Sequence, residues 1–208
     1  MAQYFSVNAD NPQPRLLRQA AALLREGGVL AVPTDSSYAL ACQLDDHAAV
    51  DALRRIRQID EQRHLALLVR DLSELANYAR VDNAQFRLLK LGTPGPFTFI
   101  LPASKEVPRR VSHPRRKTIG LRVPQQRALL ALIELHGAPL LATTLIMPGE
   151  DEPLSDPQVI RERLERQIAG VIDAGACPAQ PSTVIDLSGD TPQVLRRGLG
   201  DPARLGLG

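Results

Sequence analysis

The sequence has 208 residues, a hydrophobic fraction of 44%, a charged fraction of 23% and a formal net charge of +2, which are typical of a globular domain and exclude a disordered chain. No apolar run approaches the roughly 20 residues of a membrane span, and the first residues lack the basic and apolar regions of a signal peptide. Cys42 and Cys177 lie far apart and give neither a disulfide framework nor a metal-ligand spacing. We therefore expect a cytoplasmic protein without a membrane partner.

The first half of the chain predicts alternating helices and strands from its apolar periodicity and its capping residues. Asn11-Pro12 predicts the N-cap and first position of a helix that closes at Gly27-Gly28. Asp45 or Asp46 predicts the cap of a second helix, over 47–57. The remaining predicted elements are two strands flanking 33–38, a strand at 65–69, a helix capped by Asp71 and a helix from Asp82 to Gly92.

The second half of the chain predicts more strands than helices. The predicted elements are strands at 97–102, 118–124, 139–144, 170–175, 182–188 and 193–198, a helix near 125–136 and a helix that begins at 155–157. Several strand pairs lack an intervening helix. The order therefore predicts one domain over 1–208, an α/β fold with an open, twisted mixed sheet and flanking helices.

Familiar catalytic and metal motifs are missing from the sequence. There is no phosphate-binding P-loop, no dinucleotide fingerprint and no nucleophile elbow. The four histidines, His47, His64, His113 and His136, show no metal-ligand spacing, so we interpret them as surface residues and predict no metal site.

Hydroxyl and guanidinium groups recur instead at predicted strand ends. The candidate ligand-binding residues are Thr34, Tyr38, Arg57, Thr98, Arg122, Thr144, Ser182 and Arg196. Each hydroxyl taken alone is explained by an ordinary turn hydrogen bond. If the turns converge at one edge of an α/β sheet, they instead form a polar, cationic cleft that suits a phosphorylated ligand.

A basic segment runs from Lys105 to Arg122, with seven Lys or Arg residues against one acid, Glu106. Three interpretations stay open: a solvated loop, a surface for RNA phosphates, or a flap that closes over a small-molecule pocket. The candidate RNA-binding residues are Lys105, Arg109, Arg110, Arg115, Arg116 and Lys117.

Six motifs in order resemble those of the YrdC-like superfamily over about 27–198, and the wording is most similar to its YciO branch. The motifs read PTDSSYAL, GPFTFILP, IGLRVP, PLLATT with a following PG, PSTVIDL and VLRRG. The resemblance implies an open, twisted α/β sheet with a positively charged concave face. It also implies relatedness to threonylcarbamoyl-AMP synthases, which join threonine, bicarbonate and ATP, release pyrophosphate and serve tRNA modification.

The resemblance assigns Thr34 and Tyr38 to the threonine and nucleotide pocket, and Thr98, Arg122, Ser182 and Arg196 to ligand-facing positions. Two departures stand beside these matches. The Lys-x-Arg pair of the synthases is Arg57-Gln58-Ile59 here, and their Ser-x-Asn is Thr144-Leu145-Ile146. One cation and one amide are thus replaced by aliphatic side chains, and Arg63 is a candidate substitute for the lost cation.

Two functions follow as alternatives. The first is a diverged, weak synthase-like nucleotidyltransferase that binds ATP or AMP and threonine. The second is a non-catalytic protein that binds tRNA or double-stranded RNA, since phosphate contacts dominate such affinity. ATP chemistry would bring Mg²⁺ with the nucleotide, although no dedicated carboxylate cluster is visible in the sequence.

Overall fold

A computed structural model describes residues 1–208. The α-helices are α1 (Pro14–Arg25), α2 (His47–Arg57), α3 (Leu72–Tyr78), α4 (Asn83–Gly92), α5 (Arg127–His136) and α6 (Pro157–Leu164), and a 3₁₀ helix spans Pro202–Leu205. The strands are β1 (Gln3–Ser6), β2 (Leu30–Val32), β3 (Ala39–Gln43), β4 (Ala66–Leu68), β5 (Phe97–Pro102), β6 (Thr118–Arg122), β7 (Leu140–Thr144), β8 (Gly170–Asp173), β9 (Thr183–Asp186) and β10 (Gln193–Arg196). None of the helices combines the length and the apolar character needed to cross a membrane.

All ten strands form one mixed sheet in the order β1-β8-β2-β3-β7-β4-β6-β5-β9-β10. The sheet contains parallel pairs, such as β4 with β6 and β5 with β9, and antiparallel pairs, such as β3 with β7 and β5 with β6. The predicted α/β fold with a mixed sheet is therefore confirmed.

Side-chain caps explain why most helices begin where the sequence predicts. Asp46, Asp71, Asp82 and Asp156 each accept a backbone N–H from the first turn of the helix that follows. The predicted start of α1 is wrong: its N-cap is Gln13, because the Asn11 amide instead donates to Asn8 Oδ1 at 2.8 Å in the preceding turn. Strand β1 and the final 3₁₀ helix were not predicted.

Two apolar layers cover the sheet unequally. On one face, α1 and α5 pack over β2, β3 and β7, and their buried contacts include Leu17, Leu24 and Leu132. Helices α2, α3, α4 and α6 contribute to the larger core on the other side. The face under α1 and α5 is left open over β4, β6, β5 and β9, because no helix covers that half.

A row of small residues crosses the open half of this face. Ala66 pairs with Ala142 on one side and with Gly120 on the other, and Gly120 pairs with Ile100. A Cβ on Gly120 would lie 2.9 Å from the Leu65 carbonyl oxygen, so the position has no room for a side chain. Small side chains over three adjacent strands leave a depression in the sheet surface, and this depression is the floor of the site described next.

Candidate functional site

A cleft of about 430 Å³ lies on the open half of the sheet. Its floor contains Ala66, Gly120 and Ala142. The other apolar lining residues are Leu65, Ile100, Ile146, Val184 and Leu195, and the polar lining consists of Arg57, Gln62, Arg63, His64, Thr98, Thr143, Thr144, Ser182 and Arg196. Five of the eight predicted ligand-binding residues therefore meet here: Arg57, Thr98, Thr144, Ser182 and Arg196. They arrive from α2 and from strands that are not consecutive in the sequence.

A chain of hydrogen bonds joins three of these residues. Thr98 Oγ1 lies 2.8 Å from Ser182 Oγ, since β5 and β9 are paired and Ser182 directly precedes β9. The Arg196 guanidinium donates to the Ser182 carbonyl oxygen at 2.8 and 3.1 Å and approaches its hydroxyl at 3.3 Å. The bidentate contact fixes the orientation of Arg196 at the cleft.

Three arginines of the cleft, Arg57, Arg63 and Arg196, have no carboxylate partner within the 4.0 Å limit of an ion pair. Arg57 is only 9% exposed, and its buried Nε has no hydrogen-bond partner. Burial lowers the pKa of Arg57, and the neighbouring charge of Arg63 lowers it further. A buried guanidinium without a partner, beside a second unpaired cation, is costly without an anion, so the cleft is electrostatically suited to an anionic ligand.

Burial also lowers the pKa of Arg196, to about 10, and the charges of Arg63 and Arg122 act in the same direction. Four arginines from α2, the loop after it, β6 and β10 therefore share one electrostatic environment. This convergence is the positively charged region on the open face of the sheet.

A smaller cavity adjoins the cleft and contains two more of the predicted residues, Thr34 and Arg122. Arg122 is 6% exposed, and its Nη2 binds Asp35 Oδ1 at 2.6 Å. Asp35 Oδ2 and Arg122 Nε are both buried without a partner. The Asp35 carboxylate thus balances the charge of Arg122, and this inner cavity is less cationic than the cleft beside it.

The Thr34 hydroxyl forms hydrogen bonds within its own turn. It donates to the Ser37 carbonyl oxygen at 2.6 Å and accepts the backbone amides of Ser36 and Ser37 at 3.0 and 3.1 Å. Its proton is therefore unavailable to a ligand, and the hydroxyl shapes the loop between β2 and β3. The interpretation as an ordinary turn hydroxyl is correct for this residue, although it also lines the inner cavity.

The position of Tyr38 does not agree with the predicted place in the pocket. Its ring is fully buried in the core, it lines neither cavity, and its hydroxyl donates to the Gly175 carbonyl oxygen at 2.9 Å. Burial raises the pKa of the phenol. Tyr38 ties β3 to the turn after β8, which is a structural contact that a motif match alone does not distinguish from a ligand contact.

The two departures from the synthase pattern have different structural consequences. Ile59 packs against the core and does not line the cleft. Arg63 does line the cleft, so it supplies a cation there in addition to Arg57. Thr144 lines the cleft, and its hydroxyl makes no hydrogen bond within the protein. Ile146 is one of the apolar lining residues.

The six candidate RNA-binding residues lie in the loop between β5 and β6, are all exposed, and line neither cavity. The loop does not close over the cleft in this structure. Arg110 binds Asp51 at 2.8 Å and Arg116 binds Asp186, which leaves Lys105, Arg109, Arg115 and Lys117 without ion pairs.

One contact connects this basic loop to the cleft. The rings of His64 and His113 lie 4.7 Å apart, and His64 Nε2 is 2.8 Å from Thr118 Oγ1. Burial lowers the pKa of His64 to about 4, with His113 and Arg116 adding to the effect. His64 is therefore a neutral, half-buried part of the cleft wall at pH 7 and not the surface residue that was expected.

The residues present do not form a metal site. No group of three or more His, Cys, Asp or Glu side chains is placed to hold a metal ion. The one carboxylate beside the cavities, Asp35, is paired with Arg122. Any Mg²⁺ that accompanies a nucleotide would therefore depend on the phosphates for its ligands.

Sequence reasoning missed the cleft floor and the role of Asp35. The small size of Ala66, Gly120 and Ala142 matters only through their pairing across three strands, and the sequence does not give that register. Asp35 was visible within the PTDSSYAL motif, and a buried arginine such as Arg122 calls for a nearby carboxylate.

An open mixed sheet with an arginine-lined cleft on its uncovered half defines the class: a single-domain α/β protein with a cationic site. A family model described as "Telomere recombination", for Sua5, YciO and YrdC, matches residues 22–198. YciO of Escherichia coli strain K12 is 49% identical over 201 residues, which cover 97% of this chain and 98% of that protein. The chain belongs to the Sua5/YciO/YrdC family.

Solved structures agree with this assignment. The crystal structure of E. coli YciO matches with a TM-score of 0.96 at 48% identity, covering 99% of this chain and 100% of that one. The structure of P. abyssi Sua5 complexed with L-threonine matches with a TM-score of 0.86 at 29% identity, covering 94% of this chain and 57% of Sua5.

Proposed function

We propose that the cleft binds ATP or AMP together with threonine, and that the protein is a diverged, weak enzyme of the threonylcarbamoyl-AMP synthase type. The observation that carries this proposal is the convergence of Arg57, Arg63 and Arg196, none of which has a carboxylate partner. Guanidinium groups bind phosphate oxygens through two parallel hydrogen bonds, so a phosphate chain is the ligand chemistry that best balances these charges.

Threonine is the second proposed ligand, and its support comes from two observations. The Sua5 relative has been solved in complex with L-threonine and shares the fold over 94% of this chain. The inner cavity here places the hydroxyls of Thr98, Thr144 and Ser182 beside the Arg122–Asp35 ion pair. An ion pair and several hydroxyls suit the zwitterionic head and the side-chain hydroxyl of an amino acid.

The expected weakness of the enzyme follows from the same geometry. The chain can bind and orient substrates, and its cations can stabilise negative charge that develops on the phosphates. No carboxylate lines the cleft, and the lowered pKa of His64, about 4, makes its imidazole a weak base, so no strong general base is placed there. Ile146 offers no hydrogen bond where an amide would orient a ligand.

The test is release of pyrophosphate by the purified protein with ATP, threonine and bicarbonate. The control is the double variant Arg57→Ala/Arg63→Ala, which removes two unpaired cations of the cleft and leaves the Arg122–Asp35 ion pair intact. We expect slow release that requires threonine and disappears in the control. Release that is no faster than the background rate in the wild type, together with no calorimetric binding of ATP, AMP or threonine at millimolar concentration, would refute the proposal.

A second function is supported by a different observation. Lys105, Arg109, Arg115 and Lys117 are exposed, unpaired and outside the cleft, so they are free to contact the phosphates of tRNA or of duplex RNA. This function does not compete with the first, since the surface and the cleft are separate.

The RNA surface is tested by gel shift with tRNA and duplex RNA at two salt concentrations. Binding should weaken as salt rises and should weaken again when the four residues are changed to alanine. Alanine replacement of Arg15, Arg18, Arg87 and Arg166, exposed arginines outside this loop, is the matched control. Equal binding by the two quadruple variants would end the idea.

A further inference from the structure

The loop that carries Arg63 is held in place at its start. Gln58 takes a left-handed conformation with φ of 50° and ends α2. The Asp60 carboxylate accepts the backbone amides of Gln62 and Arg63 at 3.0 and 3.1 Å, and the buried Arg54 guanidinium donates to the Asp60 carbonyl oxygen. The backbone of Arg63 is therefore fixed by a turn that is anchored to α2.

The other end of the loop is fixed as well. His64 Nε2 lies 2.8 Å from Thr118 Oγ1 on β6, and the chain then enters β4. Ile59 packs against the core on the near side. Between these anchors, the Arg63 side chain lines the cleft, is exposed, and has no acidic partner. The anchored backbone places Arg63 at the edge of the cleft, where its side chain forms part of the lining.

The positive charge of Arg63 affects both of the other unpaired arginines, Arg57 and Arg196. After burial, Arg63 is the largest cause of the lowered pKa of Arg57 and of Arg196. Arg57 is 9% exposed, whereas Arg63 is exposed, so Arg63 lies on the solvent side of the set. All three guanidiniums line one cleft, so a chain of phosphates offers more anionic oxygens to pair with them than a single phosphate does.

We infer that Arg63 is a specificity-determining residue, which makes the cleft favour a nucleoside triphosphate over a nucleoside monophosphate. The inference rests on the proposed nucleotide binding and names the group that distinguishes the number of phosphates. The terminal phosphates receive charge-assisted hydrogen bonds from Arg63, while the phosphate nearest the nucleoside depends on Arg57 and Arg196.

The test is calorimetric titration of AMP, ADP and ATP into the wild type, Arg63→Ala and Arg63→Lys. Arg55→Ala is the matched control, because it removes one exposed charge from α2 outside the cleft. We expect Arg63→Ala to weaken ATP binding about tenfold and AMP binding less than about threefold, as one lost charge-assisted contact implies. Arg63→Lys should recover part of the ATP affinity, since it restores the charge without the planar fork.

Two results separate this inference from the proposed function. If the wild type binds ATP but Arg63→Ala weakens AMP and ATP equally, or behaves like Arg55→Ala, then Arg63 contributes only general charge and the inference is wrong while nucleotide binding stands. If the wild type binds no adenine nucleotide at millimolar concentration, the proposed function and the inference both fall. Unchanged melting temperatures of the variants would show that the differences do not come from unfolding.

Discussion

Replacing Arg57 by methionine should make the free protein more stable and the ligand-bound protein less stable. The guanidinium is 9% exposed, its Nε lacks a partner, and Arg63 repels it. Methionine keeps the apolar stem of the side chain but removes the desolvated charge. A buried polar group without a partner costs about 1–3 kcal/mol in proteins, and the remaining exposure places the expected gain near about 1 kcal/mol.

The assay is thermal unfolding with and without ATP. A gain of about 1 kcal/mol raises the melting temperature by about 2–4 °C in a chain of this size. An ATP concentration of about 100 times Kd stabilises the wild type by about 2.7 kcal/mol. If Arg57→Met binds ATP tenfold more weakly, about 1.4 kcal/mol of this stabilisation is lost in the variant. The two proteins should therefore exchange their order of stability when ATP is added.

The control for this prediction is Arg55→Met. Both arginines lie in the last turn of α2, where a cation favours the helix dipole, but Arg55 is exposed and outside the cleft. Arg55→Met should lose slightly in stability and keep the full effect of ATP. If Arg57→Met is less stable than the wild type without ligand, Arg57 is a structural residue and the electrostatic argument for the cleft is wrong.

Three further predictions concern the surroundings of the cleft. Arg122→Met should destabilise the protein by about 3 kcal/mol in urea unfolding, because it leaves the Asp35 carboxylate buried and unpaired. The double variant Asp35→Asn/Arg122→Met should recover at least half of this loss. Additive losses from the two substitutions would contradict the buried ion pair. Ala66→Phe should fill the cleft floor and abolish ATP binding, with unchanged far-UV circular dichroism; ATP affinity equal to that of the wild type would show that the ligand lies elsewhere. Because the pKa of His64 is lowered from 6.5 to about 4, its contribution to stability is complete above pH 6.5 and is lost as pH falls toward 4. His64→Gln should therefore make the free energy of unfolding depend less on pH between 6.5 and 4. An unchanged slope of the free energy of unfolding against pH would refute the buried, neutral state of the ring.

Local signals predicted most of the secondary structure. The starts of α2, α3, α4 and α6 follow from aspartate caps whose effect is confined to one helical turn. The start of α1 was predicted two residues early, since a proline after an asparagine also fits a turn, and Asn8 forms that turn here. Such competition between local hydrogen bonds cannot be resolved from residue types alone.

The site residues that lie at strand ends marked by motifs were predictable from the sequence. The residues whose place in the site depends on strand register or side-chain packing were not. Thr98, Ser182 and Arg196 meet because β5, β9 and β10 are adjacent, and the strand order needed for that conclusion is a property of the whole sheet. Tyr38 belongs to the same motif as Thr34, yet its ring turns into the core. Sequence places a residue on a loop, but packing decides which way its side chain points.

A crystal structure of the protein grown with ATP and threonine tests most directly whether the three unpaired arginines hold the phosphates of a nucleotide. Such binding predicts phosphate oxygens at about 2.7–2.9 Å from the guanidinium nitrogens of Arg57, Arg63 and Arg196. A nucleotide bound elsewhere on the surface, or a cleft that stays free of nucleotide at saturating ATP, would contradict it.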